Sequence, residues 1–204
     1  MPEYRRRLPH FHPEDAYLFL TWRLSGILFG APPHKPGATP GQIFVAQDRA
    51  LHRLSTGPRW LGDPRIADLM ASAILYGESG RHFYELYAWV VMPNHVHMLI
   101  LPLVAVPKIM RWLKGSTARE ANRILDRTGQ QFWQDESYDH YLRNESQFHR
   151  TVNHLEGNPV SAQLVRSPED WLWSSANWQA EAPALPKARP LPSSLSSIPP
   201  SPCL

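Results

Sequence analysis

Cysteine is nearly absent from this chain: of 204 residues only Cys203, next to the last, is one. A single cysteine excludes an internal disulfide framework and a metal site built from several thiolates, and it fits a reducing compartment. Long apolar runs are absent too. None approaches the roughly 20 residues that span a bilayer, and the charged start lacks the apolar core of a signal peptide, so the expected setting is the cytoplasm, without a membrane partner. Charge of one sign does not dominate. The formal net charge is +3 and the isoelectric point about 9.2, a mild basic excess that allows a polyanionic partner without requiring one. There is no internal repeat. What remains is one domain with a full-sized core, expected over residues 17–178, between a basic N-terminal arm (1–16) and a Pro/Ser-rich tail (179–204) whose composition predicts disorder.

The most informative stretch runs from Trp89 through Pro93-Asn94 to Leu101. Apolar residues, a Pro-Asn break and a second apolar run spell strand, tight turn, strand, and the two strands should pair. Alternation puts His95, His97 and Leu99 on one face and Val96, Met98 and Ile100 on the other. A lone histidine here would read as a half-exposed sheet residue. Two imidazoles about 7 Å apart on one strand can converge on a cation or a phosphate oxygen, and inside a continuous apolar run metal ligation is the favoured reading. The pair alone names neither the metal nor a reaction.

Around it the chain alternates strand and helix. Tyr17 to Leu24 reads as a first strand and residues 26–41, rich in Pro and Gly, as a loop. Ile43 to Leu54 reads as a short strand with a helical turn. Asp63-Pro64 opens a helix as N-cap and first helical residue, with an apolar stripe from Ile66 to Ile74 until Gly77 and Gly80 end it. A second helix is expected from Val106 to about Arg127. Lys108, Arg111, Lys114, Arg119 and Arg123 lie largely off its apolar face, and Gly115-Ser116-Thr117 interrupts its pattern with small residues suited to approach a phosphate backbone. Gln131 to Leu142 reads as an aromatic-rich fourth strand, and Asn144 caps a helix of about residues 147–157 closed by Asn158-Pro159. Leu172 and Trp173 should pack back on the body. This order predicts an α+β fold: a ferredoxin-like antiparallel sheet with helices packed mainly on one face.

The histidine strand resembles that of the single-tyrosine HUH transposases, most closely the REP-associated tyrosine transposases. Phe132-Trp133-Gln134, Ser137-Tyr138-Asp139-His140, Asn158-Pro159-Val160, Pro168-Glu169-Asp170-Trp171 and Trp173-Ser174-Ser175 look like later landmarks of that family in the same order, and Arg5-Arg6-Arg7-Leu8-Pro9-His10 is similar to its start. The resemblance covers about residues 3–178. It implies the same ferredoxin-like fold, single-stranded or hairpin DNA as partner, and metal-dependent single-strand cleavage and rejoining in DNA transposition. It implies a divalent ion, Mn²⁺ or Mg²⁺, on His95 and His97, with a tyrosine on the last helix as the nucleophile. It allows a homodimer.

At the position of that tyrosine, four residues before Asn158, this chain has His154. Asn158 follows on the same helical face, where its carbonyl oxygen suits a third metal ligand. Three accounts of the missing hydroxyl are open: loss of cleavage in a domesticated hairpin-DNA-binding protein, a nucleophile supplied instead by Tyr138 or Tyr141, or His154 itself attacking, with His154 as a fourth ligand in reserve. A different class, the nucleotide hydrolases with a histidine-rich strand, would need a third alternate histidine where this chain has Leu99. The expected DNA contacts are Arg5, Arg6, Arg7, Lys108, Arg111, Lys114, Arg119 and Arg123. If the arm touches phosphate, deleting residues 1–12 will weaken hairpin-DNA binding and flatten its dependence on salt. Unchanged slopes of log affinity against log salt would remove the arm from the interface.

Overall fold

The computed structural model describes residues 16–27, 46, 48–51 and 57–181. Four strands form one antiparallel sheet: β1 (Leu18–Arg23), β2 (Tyr84–Val91), β3 (His95–Pro102) and β4 (Tyr138–Tyr141), in the spatial order β2-β3-β1-β4. This is the ferredoxin-like order the element sequence predicts. Helix α1 (Pro64–Ser79) carries the chain from β1 to β2 and leaves one place between them, which β3 fills by folding back through the turn at 92–94. Helix α2 (Val106–Ile124) then carries it from β3 across to β4 on the far side of β1.

Side-chain alternation divides the sheet into two apolar layers. Leu18, Leu20, Trp22, Val96, Met98 and Ile100 face α1 and α2 and join Ile66, Met70, Ile74, Ile109 and Leu113 in the larger core. Fully burying each large apolar side chain contributes roughly 1.5–3 kcal/mol. Phe19, Ala88, Val90 and Leu99 face the other way, toward Phe148 and Leu155 of α3 (Glu145–Glu156). The two long helices thus lie on one face, and α3 covers the other.

The helix ends follow their caps. Asp63 accepts from the Arg65 amide at 3.0 Å, with Pro64 where a missing N–H costs nothing. The helix continues through Gly77, which the sequence suggested as a stop, and ends at Ser79. Gly77 is an internal position because Tyr84, whose hydroxyl donates to the Ile74 carbonyl at 2.7 Å, occupies the space its side chain would need. Helix α2 is likewise continuous through Gly115-Ser116-Thr117. Ser116 donates to the Trp112 carbonyl at 2.7 Å, and Thr117, buried, donates to the Leu113 carbonyl at 2.5 Å and accepts from Trp133 Nε1 at 3.0 Å. The Thr117 hydroxyl therefore belongs to the core and not to a phosphate-facing surface.

The fourth strand is shorter than Gln131 to Leu142. Before Tyr138 the chain makes only an isolated bridge, Leu24 to Trp133, while Phe132 and Trp133 turn into the larger core. Asn144 caps α3 by accepting from the Gln147 amide at 2.9 Å, and the short α4 (Asn158–Ser161) follows after Gly157. At the other sheet edge the Val91 amide donates to the Trp173 carbonyl at 2.9 Å and Trp171 Nε1 to the Val91 carbonyl at 3.0 Å, so this segment and α5 (Ser175–Glu181) cover part of β2's exposed backbone. Trp173 packs as expected, whereas Leu172 is 62% exposed. The basic arm and the tail lie outside the described residues except for residues 16 and 179–181.

Alanine in place of glycine normally stabilises a helix interior by about 1 kcal/mol. At Gly77 the sign should reverse: Gly77→Ala drives a methyl into the Tyr84 ring and should destabilise by roughly 1–3 kcal/mol, read from the urea midpoint.

Candidate metal centre

Strand β3 holds both histidines of the His-x-His pair fully buried, on the face covered by α3. Their ring centroids are 4.6 Å apart. Each ring is fixed through Nδ1. Asn94 of the turn donates its amide nitrogen to the Leu51 carbonyl at 3.1 Å, which leaves its oxygen, an acceptor only, 2.6 Å from His95 Nδ1. His95 therefore carries a proton on Nδ1 and turns Nε2 toward the site. His97 Nδ1 lies 2.7 Å from the hydroxyl of Thr21, its cross-strand partner on β1, and Phe19 stacks on its ring at 5.4 Å. A hydroxyl can donate or accept, so His97 can present either tautomer.

Both Nε2 atoms point at one carboxylate. Asp48, on helical residues 48–51 and 1% exposed, places Oδ1 2.9 Å from His97 Nε2 and 3.4 Å from His95 Nε2. The donor atoms of Asp48, His95 and His97 all lie within 4.8 Å of one another. His95 Nε2 facing a carboxylate oxygen requires positive charge between them, and either a proton on the imidazole or a divalent ion on two imidazoles and a carboxylate meets that requirement. Burial by itself would raise the Asp48 carboxyl, but His97 and contacts from His154, His95 and His97 outweigh it and hold the group well below the ordinary carboxylate range. Burial pushes His97 down to about 4, against the opposing pull of Asp48. An ionised carboxylate and a neutral imidazole are the protonation states a metal ligand needs.

The second carboxylate oxygen has its own partners. His154 Nε2 of α3 lies 3.0 Å from Asp48 Oδ2, and Asn158 donates its Nδ2 to the same oxygen at 2.8 Å. The structure thus brings His95, His97, His154 and Asn158 together around a residue the sequence reading missed. The third donor beside the histidines is Asp48, with the Asn158 amide nitrogen turned to the carboxylate. The available signal was its position three residues before Leu51: on a helical turn the two share a face, and an acid on a buried face needs a partner.

The two alternative tyrosines separate by parity. Tyr138 is the cross-strand partner of Thr21 and shares its face, with its ring 6.4 Å from Phe19; Tyr141 pairs with Leu18 and packs into the core on the opposite side of the sheet. Burial, reinforced by Asp139, raises the Tyr138 phenol to about 12. Helix α2 also lies on that opposite side. There Lys108, Arg111, Arg119 and Arg123 are exposed, Lys108 stands 5.3 Å over the Phe83 ring, Arg123 pairs with Glu120, and Lys114 donates to the Asp135 carbonyl at 2.9 Å. Arg5, Arg6 and Arg7 lie outside the described residues. Arg23, half-buried, is the cross-strand partner of His95 and the cation nearest to the pair along β1.

Sheet order, buried histidine pair and carboxylate define a ferredoxin-like domain with a candidate metal centre on its α3-covered face. Residues 68–153 match the family model described as "Transposase IS200 like", a match that begins after Asp48 and ends one residue before His154. A REP-associated tyrosine transposase of Escherichia coli (strain K12) is 28% identical over 110 residues, 52% of this chain, and the chain spans 62% of that relative's length. A solved structure of a REP-associated tyrosine transposase bound to a REP hairpin shares the fold, with a TM-score of 0.57 and 21% identity over 88% of this chain and 86% of that one. The chain is thus similar to IS200-like transposases over residues 68–153 and to a REP-associated tyrosine transposase over 110 residues, and it shares the fold of such a transposase. No helix among the described residues is long and apolar enough to cross a membrane.

If the cluster holds a metal, calorimetry should give one Mn²⁺ site in the wild type. Asp48→Asn and the His95→Ala, His97→Ala pair should each lose at least about tenfold in affinity, whereas equal heats in all three proteins would exclude the assignment.

Proposed function

We propose that this protein binds structured single-stranded DNA, a hairpin with an unpaired flank, and that it no longer cuts the strand through a residue of α3. The observation that carries the reading is the placement of His154: α3 brings this residue, at the position the resemblance gives to the tyrosine, into contact with Asp48. The helix and the metal corner are retained while the attacking hydroxyl is replaced by an imidazole.

In this reading Asp48, His95 and His97 hold a divalent ion, Mn²⁺ or Mg²⁺; imidazole donors favour Mn²⁺ in affinity, and the cell supplies more Mg²⁺. A bound divalent ion supplies positive charge to a phosphate oxygen in a water-poor site. Asn94 and Thr21 fix the two imidazoles, and Asn158 and His154 fix the carboxylate. Arg23 adds a cation beside His95. The exposed residues Lys108, Arg111, Arg119 and Arg123, together with Lys114 and the arm's Arg5 to Arg7, track phosphate. Because α2 is on the layer opposite the centre, it and the centre engage different parts of the nucleic acid. The REP hairpin bound in the structurally similar transposase supports a hairpin as the partner.

One observation favours a second reading, in which cleavage survives with a relocated nucleophile: Tyr138 is on the same face as the histidines, next to Thr21. Its raised phenol needs a strong base or the ion's charge nearby to attack.

With labelled hairpin DNA and Mn²⁺, wild type should bind more tightly than to duplex of matched length and form no denaturant-resistant adduct, and His154→Tyr should generate one. An acid-stable adduct in wild type that Tyr138→Phe abolishes would replace the first reading with the second. An acid-labile adduct lost in His154→Ala would instead point to a phosphorus–nitrogen bond at His154.

A further inference from the structure

The two oxygens of Asp48 face two different sets of partners. Oδ1 lies against the histidine pair of β3, at 2.9 and 3.4 Å, while Oδ2 lies 3.0 Å from His154 Nε2 and accepts from Asn158 Nδ2 at 2.8 Å. His154 stands outside the group of donors that lie mutually within 4.8 Å, and its ring centroid is 6.2 Å from that of His97. Its side chain is 29% exposed, where those of His95, His97 and Asp48 are sealed. The imidazole therefore reaches the centre through the carboxylate's second oxygen.

A carboxylate on a metal can bind through one oxygen or both and can rotate between the two. Partners that hold the outer oxygen fix the inner one toward the ion, which is how residues behind a ligand tune metal affinity. We propose that His154 is a positioning residue for Asp48: with Asn158 it grips Oδ2, holds the carboxylate so that Oδ1 alone faces the histidine pair, and is neither a nucleophile nor a ligand. This rests on the metal reading above. It gives the residue in the tyrosine's place a specific task, and it ties α3 and α4 to the segment carrying Asp48 at the point where the relatives' helix is expected to present its nucleophile.

The test uses the full chain with Mn²⁺ as the probe. Wild type, His154→Ala, His154→Gln and His154→Phe are titrated by calorimetry, and the bound nitrogens are counted by electron spin echo spectroscopy of the Mn²⁺ complex. His154→Ala and His154→Phe should bind about 10- to 100-fold more weakly, His154→Gln should recover most of the affinity through its amide N–H, and every variant should keep two imidazole nitrogens on the ion. Partial exposure makes these changes compatible with folding, which melting curves in chelator would verify. A nitrogen count that falls from three to two in His154→Ala would make it a ligand and overturn the proposal. So would affinities that do not change, or a glutamine variant no better than phenylalanine. Absence of any Mn²⁺ binding in wild type would overturn the metal reading and this proposal with it; binding in wild type that is lost in Asp48→Asn but indifferent to His154 would overturn this proposal alone.

Discussion

The buried carboxylate of Asp48 is the constraint on which the rest of the site depends. Removing an ionised carboxylate from water costs several kcal/mol unless the protein returns comparable contacts. Here they come from His95 and His97 on β3, His154 on α3 and Asn158 on α4. Four residues on three elements are thereby tied to one group. A fifth tie runs through Asn94, which fixes the His95 tautomer with its oxygen and holds the Leu51 carbonyl, three residues beyond Asp48, with its nitrogen.

The sheet makes this arrangement rigid. Both histidines lie on the strand second from one edge, flanked on one side by β1, which supplies Thr21 and Phe19, and on the other by β2, where Val90 is opposite His97. The other face is filled by the apolar core under α1 and α2, so a shift of β3 by one residue would exchange a chemical face for an oily one. A second apolar layer, with Tyr17, Tyr87 and Phe148 packed edge to face, seats α3, the helix that carries His154. Stability and site geometry are thus consequences of the same packing.

A resemblance in fold leaves the chemistry to particular residues. The family match covers residues 68–153 and so includes the histidine pair but neither Asp48 nor His154. Those two residues contact each other, so the meeting of carboxylate and imidazole lies outside the matched stretch.

Much of the fold was legible because it rests on short-range regularities. The period-two alternation of β3, the Pro-Asn turn, the caps at Asp63 and Asn144 and the apolar spacing of α1 and α2 each depend on residues within a few positions of one another, and together they determined the element order and which residues share a face with His95 and His97. Parity along β4 likewise required Tyr138 and Tyr141 to point opposite ways. Which of the two faces the site depended on the register of β4 against β1, and a register belongs to a pair of strands. Asp48 was passed over for the same reason: its contacts reach 49 residues to His97 and 110 to Asn158, and its helical spacing to Leu51 hints at burial without naming a partner. Small residues at 115–117 looked like an exposed break until the core claimed Thr117 through Trp133. Local pattern fixes which side of an element is apolar; only the packing of elements decides what a polar group on that side will meet.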